Sequence, residues 1–431
     1  MRTEQLHSLF MVCGLALLIA AGCGGNDERF PELSEEAPLS YERGRLGVGF
    51  LHGASQRVDT DQSNNALRQT RQVADHAILR LDVYDLRALA VGEYVQFPPS
   101  SQGDYRGVSH FENNPADALL AARASDLHEE IAAAVEASNT QNFATYSIVV
   151  DFWTDDQQEY IPWDGNTGRP AESNGFYRQD MRQEVIEQLE IVVEELEPAH
   201  VIIGTDMERL LANEDGGRAS DVEFSNFLTF FVDAREAIKA VNESTRVGPG
   251  INWDRFATQV APAYAGGEEA ELGTPAGNEV LDEAFQATLE PLFSRADVIS
   301  LKSYTSPDAD ALNYYQFLRR LDDLYGLDKP IVWYSVGTPT TNTAADATQD
   351  SYLREFAKWN QGVRPSLVGW RLAFNYDGTD LTGGGVGGRC EKFSDEGSGF
   401  GMPLSYCFDG LFSSVLQAKA PYEYLADEVA Q

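Results

Sequence analysis

Short apolar runs recur eight times along the 431-residue chain, and amphipathic stretches separate them. The runs cover residues 46–51, 77–83, 145–152, 200–206, 246–253, 297–304, 330–336 and 367–374. Nearly continuous apolar character, as in YSIVVDF, is typical of parallel strands that are buried on both faces. The stretches between them predict helices over 64–75, 117–137, 177–196, 222–242, 279–294, 311–326 and 348–360, with a last helix over 409–418. Eight strands alternating with eight helices predict an α/β fold, a single (β/α)8 TIM barrel.

The loops of this predicted barrel differ in length in a way that indicates where its site lies. Segments leading from a helix to a strand are short, such as 197–199 and 242–245, whereas those leading from a strand to a helix are long, such as 153–176 and 375–408. In a (β/α)8 barrel the long set lies at the carboxyl ends of the strands, where such folds carry their sites. A doubly wound sheet is the main alternative, but no G-x-G-x-x-G string follows the first strand.

The first 22 residues have the pattern of an export signal, with an apolar run over 9–21 that is too short to span a membrane. The string LIAAGC, which ends at Cys23, resembles the lipobox of bacterial lipoproteins, although Ala20 stands where that family usually has a branched residue. The resemblance implies cleavage before Cys23, a lipid on its thiol, and a location in the bacterial cell envelope, at the outer membrane or cell surface. An ordinary secretory signal is the alternative. Residues 23–44 then form a polar lipidated tether, and 45–431 form the barrel.

The charge of the chain excludes several classes of partner. Asp and Glu total 68 against 32 Lys and Arg, so the formal net charge is −36. Such a surface repels the phosphates of nucleic acid and of anionic lipids, so we expect no nucleic-acid partner and membrane contact through the lipid anchor only. Cys390 and Cys407 are expected to form a disulfide in an exported chain. No His or Cys spacing predicts a metal site, and no cofactor is expected.

Four consecutive predicted strands end in an aspartate, and these are candidates for chemistry at the rim: Asp82, Asp151, Asp206 and Asp254. An Asp at a strand end often caps the next turn, and we expect capping for Asp82 and Asp254. Asp206 is followed at i+2 by Glu208, which is more than a cap requires. Paired carboxylates perform glycoside hydrolysis, one as the acid and the other as base or nucleophile. We expect Asp206 to act as the acid with Glu208 in support, and Asp151 to act as the base.

Aromatic side chains gather near the same strand ends. Sugar rings stack their apolar faces on such side chains, so this distribution predicts a saccharide groove. The candidate platform residues are Trp153, Trp163, Trp253, Tyr304 and Trp370. Arg80, in the second predicted strand, would orient a carboxylate or a sugar hydroxyl. Packing within the barrel is the alternative for Trp370, and it is the one we prefer for Trp333.

Several strand strings resemble the retaining (β/α)8 glycoside hydrolases of clan A. They are ILRLDV, VIIGTDMERL, ADVISLKSYTSP, PIVWYSVGTPT and GWRLAFNYDG, and the resemblance covers about 45–425. Arg80 and Tyr304 match residues that flank the nucleophile in that family. Two departures stand out, since Asp206 takes the place of the acid/base Glu and Ser335 takes the place of the nucleophile Glu. Ser without a neighbouring base is a poor nucleophile, so the double-displacement mechanism of the family is not expected here.

Three functional hypotheses remain open at this point. The first is an envelope-anchored glycosidase that acts on a polysaccharide or oligosaccharide with non-standard carboxylates. The second is a chitinase-type barrel, because the D-x-E of Asp206 and Glu208, together with Tyr304 and Trp370, looks like that family, in which the acetamido group of the substrate replaces the nucleophile. The third is an inactive barrel that binds carbohydrate or acts as a scaffold.

Overall fold

The computed structural model describes residues 46–51, 74, 76–82, 145–152, 175–211, 221–264, 275–307, 309, 311–338, 345–360, 362–363, 365–370, 372–374 and 410–412. All of them belong to one compact unit, Glu36–Gln431. The export signal, the Cys23 lipobox and the whole tether lie outside the described residues, as do Cys390, Cys407, Trp153 and Trp163. Within the described part of the chain, no helix is both long and apolar enough to cross a membrane.

Nine parallel strands form one sheet. They are β1 Leu46–Leu51, β2 His76–Asp82, β3 Thr145–Asp151, β4 His200–Ile203, β5 Arg246–Pro249, β6 Ile251–Asn252, β7 Ile299–Tyr304, β8 Ile331–Gly337 and β9 Leu367–Trp370. Their order in the sheet is β5-β4-β3-β2-β1-β9-β8-β7-β6. The first and last in this order, β5 and β6, are consecutive in the chain and separated only by Gly250, so one segment pairs with β4 on one side and with β7 on the other. Eight chain segments therefore follow one another around the sheet, and the predicted (β/α)8 fold is confirmed.

The described helices fall between these strands, close to their predicted ranges. They are α1 Gln179–Leu196, α2 Asp221–Val241, α3 Pro275–Arg295, α4 Leu312–Leu318, α5 Leu321–Tyr325 and α6 Ala345–Trp359. Short helical turns, Trp253–Arg255, Phe256–Val260 and Ala261–Tyr264, follow β6, and a 3-10 helix, Met207–Leu211, follows β4. The last predicted helix is wrong at its start, because Gly410–Phe412 is a strand, β11, which pairs in parallel with β10, Leu372–Phe374.

Helix α1 illustrates why these segments are helical and how they end. Its buried apolar positions recur at helical spacing, so one stripe faces the sheet: Met181, Val185, Leu189 and Val192. The helix ends at Glu197, which adopts a left-handed conformation and donates its backbone N–H to Val193 O. Pro198 follows and cannot continue the helix. Because β4 begins only two residues later, the carboxyl end of α1 lies at the amino ends of the strands, and its amino end lies at the opposite rim.

Two apolar clusters follow the alternation of side chains along the strands. A small cluster fills the interior of the barrel and consists of Ile78, Val149, Ile202, Val298, Val332, Tyr334 and Leu367. The intervening strand positions, such as Ile148, Val201 and Trp333, belong to a much larger cluster shared with the helices. This division fixes the faces of the sheet, so residues two positions beyond the interior cluster face the C-terminal mouth of the barrel. Asp151 lies two positions beyond Val149, and Lys302 lies four positions beyond Val298 and therefore on the same face of the sheet.

Gly250 allows two chain segments to approach each other at the end of β5. A Cβ atom at this position would lie 2.0 Å from Gly204 O, so no larger residue fits without moving the backbone. The close approach permits two hydrogen bonds, from Gly250 N to Ile203 O and from Met207 N to Gly250 O. The chain that leaves β4 is therefore held against the break between β5 and β6.

A chain of three polar side chains links β2, β3 and β4 near the amino ends of the strands. His76 Nε2 lies 2.7 Å from Ser147 Oγ, which lies 3.0 Å from His200 Nδ1. Burial, with a smaller contribution from His200, lowers the pKa of His76 to about 3, so this imidazole is neutral at physiological pH. These contacts link three neighbouring strands.

Candidate functional site

Ionisable side chains are buried where four neighbouring strands end at the C-terminal rim. Each of them is no more than 6% exposed: Asp151, Asp206, Glu208, Asp254 and Lys302. Groups of this kind are rarely buried unless they are paired or hydrogen-bonded, and clusters of them are typical of functional sites. The three carboxyls predicted from the sequence to act together, Asp151, Asp206 and Glu208, all interact electrostatically with Arg209. They are therefore near one another.

Asp206 is held in an unusual conformation directly beyond β4. Its φ angle is +51°, and Gly204 before it has a φ of +83°. The left-handed region is uncommon for residues other than glycine, although Asp and Asn tolerate it best. The Met207 sulfur lies 2.4 Å from where a Cβ of Gly204 would be, so a larger residue at 204 would displace it. The turn thus directs Asp206 back towards the barrel axis.

Lys302, in β7, forms an ion pair with Asp206 that the sequence did not reveal. Its Nζ donates to Asp206 Oδ2 at 2.6 Å, and the side chains are only 3% and 2% exposed. A carboxylate beside an ammonium is stabilised in its charged form. This ion pair engages the carboxylate that we expected to act as the acid. The signal for Lys302 was its place in the inward-facing alternation of Ser300, Lys302 and Tyr304 along β7.

Glu208 is the second carboxyl of the D-x-E string and has, among the described residues, no ion pair like that of Asp206 with Lys302. It lies in the first turn of the 3-10 helix, is fully buried, and accepts a hydrogen bond of 2.8 Å at Oε2 from Asn252 N. Burial raises the pKa of Glu208 to about 8, with a further contribution from the charge of Asp206 and an opposing one from Arg255. The carboxyl is therefore protonated at neutral pH. Between the two residues of D-x-E, Glu208 and not Asp206 has the properties of an acid.

Asp151 is buried at the end of β3 and faces the same mouth. Its Oδ1 accepts a hydrogen bond of 2.6 Å from Thr205 Oγ1, which lies between β4 and Asp206. This contact joins the ends of β3 and β4 directly.

Asp254 ties the end of β7 to the helical turns after β6. It accepts hydrogen bonds from Ser303 Oγ at 2.9 Å, from Tyr304 N at 2.7 Å and from Tyr314 Oη at 3.0 Å. Burial raises the pKa of Asp254 to about 6, and these hydrogen bonds oppose the rise. The expectation that Asp254 caps a helix is wrong, because the N-cap is Asn252, whose Oδ1 accepts from Arg255 N.

The predicted aromatic platform is wrong at two positions. Trp253 is completely buried among Phe256, Phe285 and Phe317, and its indole Nε1 donates to Tyr314 O. Trp370 is also completely buried and faces the helices, where its ring lies 6.3 Å from that of Tyr352 in α6. Neither indole offers a face to a sugar. Strand alternation places Trp370 in the layer between sheet and helices, together with Trp333, for which packing was the preferred interpretation, and Trp253 enters the same layer from the helical turn after β6.

The remaining predicted residues are placed as follows. Tyr304 ends β7, two positions beyond Lys302, and is partly exposed, as a platform residue would need to be. Arg80 lies in β2, in register with Leu51 and Val149. Ser335, at the nucleophile position of the resemblance, is half-buried in β8 and in register with Lys302. An irregularity in the β7–β8 pairing inserts one extra residue into β8 just before Ser335.

Metal binding finds no support in the part of the chain that the structure describes. No group of three or more His, Cys, Asp or Glu side chains in these ranges is arranged to hold an ion. The buried residues Asp151, Asp206, Glu208, Asp254 and Lys302 are called the rim cluster. Within it, Lys302 Nζ donates to Asp206, and the backbone N–H of Asn252 donates to Glu208.

Comparison with known proteins identifies the fold of the chain but assigns it to no family. No protein-family model and no curated protein match the chain. A GH5_18 protein of Bifidobacterium longum, solved in complex with Manβ1-4GlcNAc, matches with a TM-score of 0.55 and 13% identity, over 90% of this chain and 78% of its own. The endo-1,4-β-D-mannanase of Thermotoga petrophila matches with a TM-score of 0.50 and 12% identity, over 90% and 99%.

A family 39 glycoside hydrolase from Bacteroides cellulosilyticus matches with a TM-score of 0.51 and 15% identity, over 93% of this chain. This chain spans 65% of the length of that protein, slightly less than two thirds. Identities this low establish the fold alone. The chain therefore has the (β/α)8 fold of these glycoside hydrolases.

Proposed function

We propose that this protein binds an oligosaccharide or polysaccharide at the C-terminal rim of its barrel without hydrolysing it. The fold shared with three glycoside hydrolases supports carbohydrate as the ligand class, and the rim is where barrels of this kind carry their sites. Buried polar side chains lie at the ends of β3, β4, β6 and β7, and Tyr304, whose backbone N–H donates to Asp254, is partly exposed beside them. This combination suits a saccharide.

The ion pair between Lys302 and Asp206 is the observation that favours binding over cleavage. A retaining or inverting glycosidase needs one carboxyl that donates a proton and one that attacks or activates water. Asp206 is neutralised by Lys302 at 2.6 Å, and Ser335 stands where the clan A resemblance expects the nucleophile. Neither position then supplies the chemistry, whereas hydrogen bonding to sugar hydroxyls needs no free carboxyl.

Hydrolysis is the second candidate, and one observation favours it. The pKa of Glu208, raised to about 8, keeps a carboxylic acid protonated at neutral pH, as a general acid requires. Asp151 would act as the base in such a mechanism. The substrate-assisted alternative also relies on Glu208 as its acid. In both cases Glu208, which is fully buried, has to become accessible to the glycosidic oxygen.

Blocking the rim tests the proposed binding site. Ser335→Phe places a ring at the C-terminal end of β8 and is expected to weaken oligosaccharide binding by at least about tenfold, a loss of about 1.4 kcal/mol. Calorimetric titration with β-1,4-linked manno- and gluco-oligosaccharides measures this. The matched control is Ser294→Phe at the exposed end of α3, which lies at the opposite rim and leaves binding unchanged. Equal binding by the wild type and Ser335→Phe, or no binding of any saccharide by the wild type, contradicts the proposal.

The N-terminal segment adds a location to this proposal. We infer that Cys23 carries a lipid and that the tether over 23–44 holds the barrel away from a bacterial envelope membrane. The lipobox-like string and the preceding apolar run support this. Partitioning of the full chain into detergent is expected to disappear in Cys23→Ser. Equal partitioning of the two would rule out the lipid anchor.

A further inference from the structure

Tyr177 is a strongly exposed aromatic residue at the C-terminal rim of the barrel. It lies just before α1, whose amino end is at the C-terminal side of the barrel. Its side chain is 47% exposed, and no other aromatic residue in the described ranges is exposed to such an extent. The preceding residue, Phe176, is fully buried, and its ring lies 5.1 Å from that of Phe152, which directly follows Asp151. Tyr177 is thus anchored close to the rim cluster but faces solvent.

The ring of Tyr177 and the carboxylate of Glu223 converge on one point. A Cβ atom at Gly175 would lie 2.5 Å from Glu223 Oε1 and 3.0 Å from Tyr177 Cδ1 and Cε1. The two side chains therefore occupy adjacent space over the Gly175 backbone, and only glycine leaves room for both. Glu223 is half-buried in the first turn of α2 and belongs to a different βα unit from Tyr177.

Hydrogen bonds hold this arrangement in place. Phe176 N donates to Glu223 Oε1, and Asn226 Nδ2 donates to Glu223 Oε2 at 3.2 Å. Arg178 N donates to Gly175 O and closes the turn that carries Tyr177. An aromatic ring beside an ordered carboxylate and amide is thus presented at the rim.

We propose that Tyr177, Glu223 and Asn226 form an outer saccharide subsite, which binds a neutral sugar ring of a chain whose inner end lies at the mouth of the barrel beside Tyr304. The inference rests on the proposed function and adds the requirement for a ligand longer than the inner site. The apolar face of the sugar stacks on Tyr177, and its hydroxyls donate to Glu223 and accept from Asn226. A neutral sugar fits, because a carboxylate or sulfate would be repelled by Glu223 and by the strongly acidic chain.

The dependence of affinity on ligand length tests this subsite. The full chain is titrated calorimetrically with mannobiose and with mannohexaose. Tyr177→Ala is expected to weaken binding of mannohexaose about five- to tenfold while leaving mannobiose unchanged, because only the longer ligand reaches the subsite. Tyr177→Phe retains the ring and is expected to bind both ligands like the wild type. Gly175→Ala, which displaces Glu223 and the Tyr177 ring, is expected to reproduce the loss for mannohexaose.

Two controls separate failure of the subsite from failure of the proposed function. Ile191→Ala removes an apolar side chain that is 37% exposed near the other end of α1, and it is expected to change neither affinity. If Ser335→Phe abolishes binding but Tyr177→Ala binds mannohexaose as well as the wild type does, the subsite is wrong and the rim site stands. If the wild type binds neither ligand, the rim site and the subsite both fail for this saccharide class.

Discussion

Lys302→Met is expected to lower the free energy of unfolding by about 3–5 kcal/mol, because it leaves Asp206 as an uncompensated buried charge. Asp206 is only 2% exposed, and Lys302 is its ionic partner at 2.6 Å. The methionine preserves most of the side-chain volume of lysine, so loss of packing contributes little. Urea unfolding of both proteins at neutral pH measures the difference.

Two comparisons make this result specific to the buried charge. Lys302→Met combined with Asp206→Asn leaves no charge, and Asn tolerates the left-handed backbone, so most of the lost stability is expected to return. Arg354→Met, which breaks the largely exposed pair with Asp350 on α6, is expected to cost no more than about 0.5 kcal/mol. A Lys302→Met protein as stable as the wild type would show that Asp206 carries no charge requiring a partner.

Glu208→Gln is expected to change how stability depends on pH. The folded-state pKa of about 8 exceeds the ordinary value of 4.5, so between these pH values the folded protein holds a proton that the unfolded chain has released. The stability of the wild type therefore falls as pH rises through this window, by about 1.4 kcal/mol per pH unit from this group. Over 3.5 units the contribution approaches about 5 kcal/mol, and no further loss occurs above the folded-state pKa.

Glutamine has no proton to release, so this contribution is absent from the variant. Denaturant unfolding of both proteins from pH 4.5 to 9 measures the difference in slope, with the variant gaining on the wild type as pH rises. Other titrating groups, such as Asp254, affect both proteins equally and cancel in the comparison. Parallel curves for the two proteins would mean that Glu208 is ionised at neutral pH, and the candidate acid would be lost.

The strands and the fold class follow from the sequence because buried parallel strands leave a direct signal. Runs such as YSIVVDF and HVII became β3 and β4 at nearly the predicted positions. Helix α1 could be predicted equally well from the helical spacing of its apolar residues, and Glu197 and Pro198 mark where it ends. The helix predicted over 409–418 was wrong at its start, because a short apolar stretch is compatible with either a helix or a strand. Only its pairing with β10 identifies Gly410–Phe412 as a strand.

The site could be predicted only in part from the sequence. It depends on contacts between residues that are far apart in the chain, and on which face of a strand each side chain occupies. Asp206 and Lys302 are 96 residues apart, so no local pattern reports their ion pair. A shift of one residue in a strand moves each side chain to the opposite face, which is why Trp370 was expected at the mouth and lies among the helices. Glu208 and Asp151 could be predicted as site residues because the carboxyl ends of all the strands meet at one rim, and this holds whatever the pairing register of the strands.

Product analysis of a saccharide that the protein binds tests the central claim most directly. The full chain is incubated with the oligosaccharide bound in calorimetry, and the reaction mixture is separated by chromatography and assayed for new reducing ends. Binding without cleavage predicts that the oligosaccharide is recovered intact at any pH from 5 to 9. Release of new reducing ends above the rate without protein, lost in Glu208→Gln, would contradict it and establish a glycosidase.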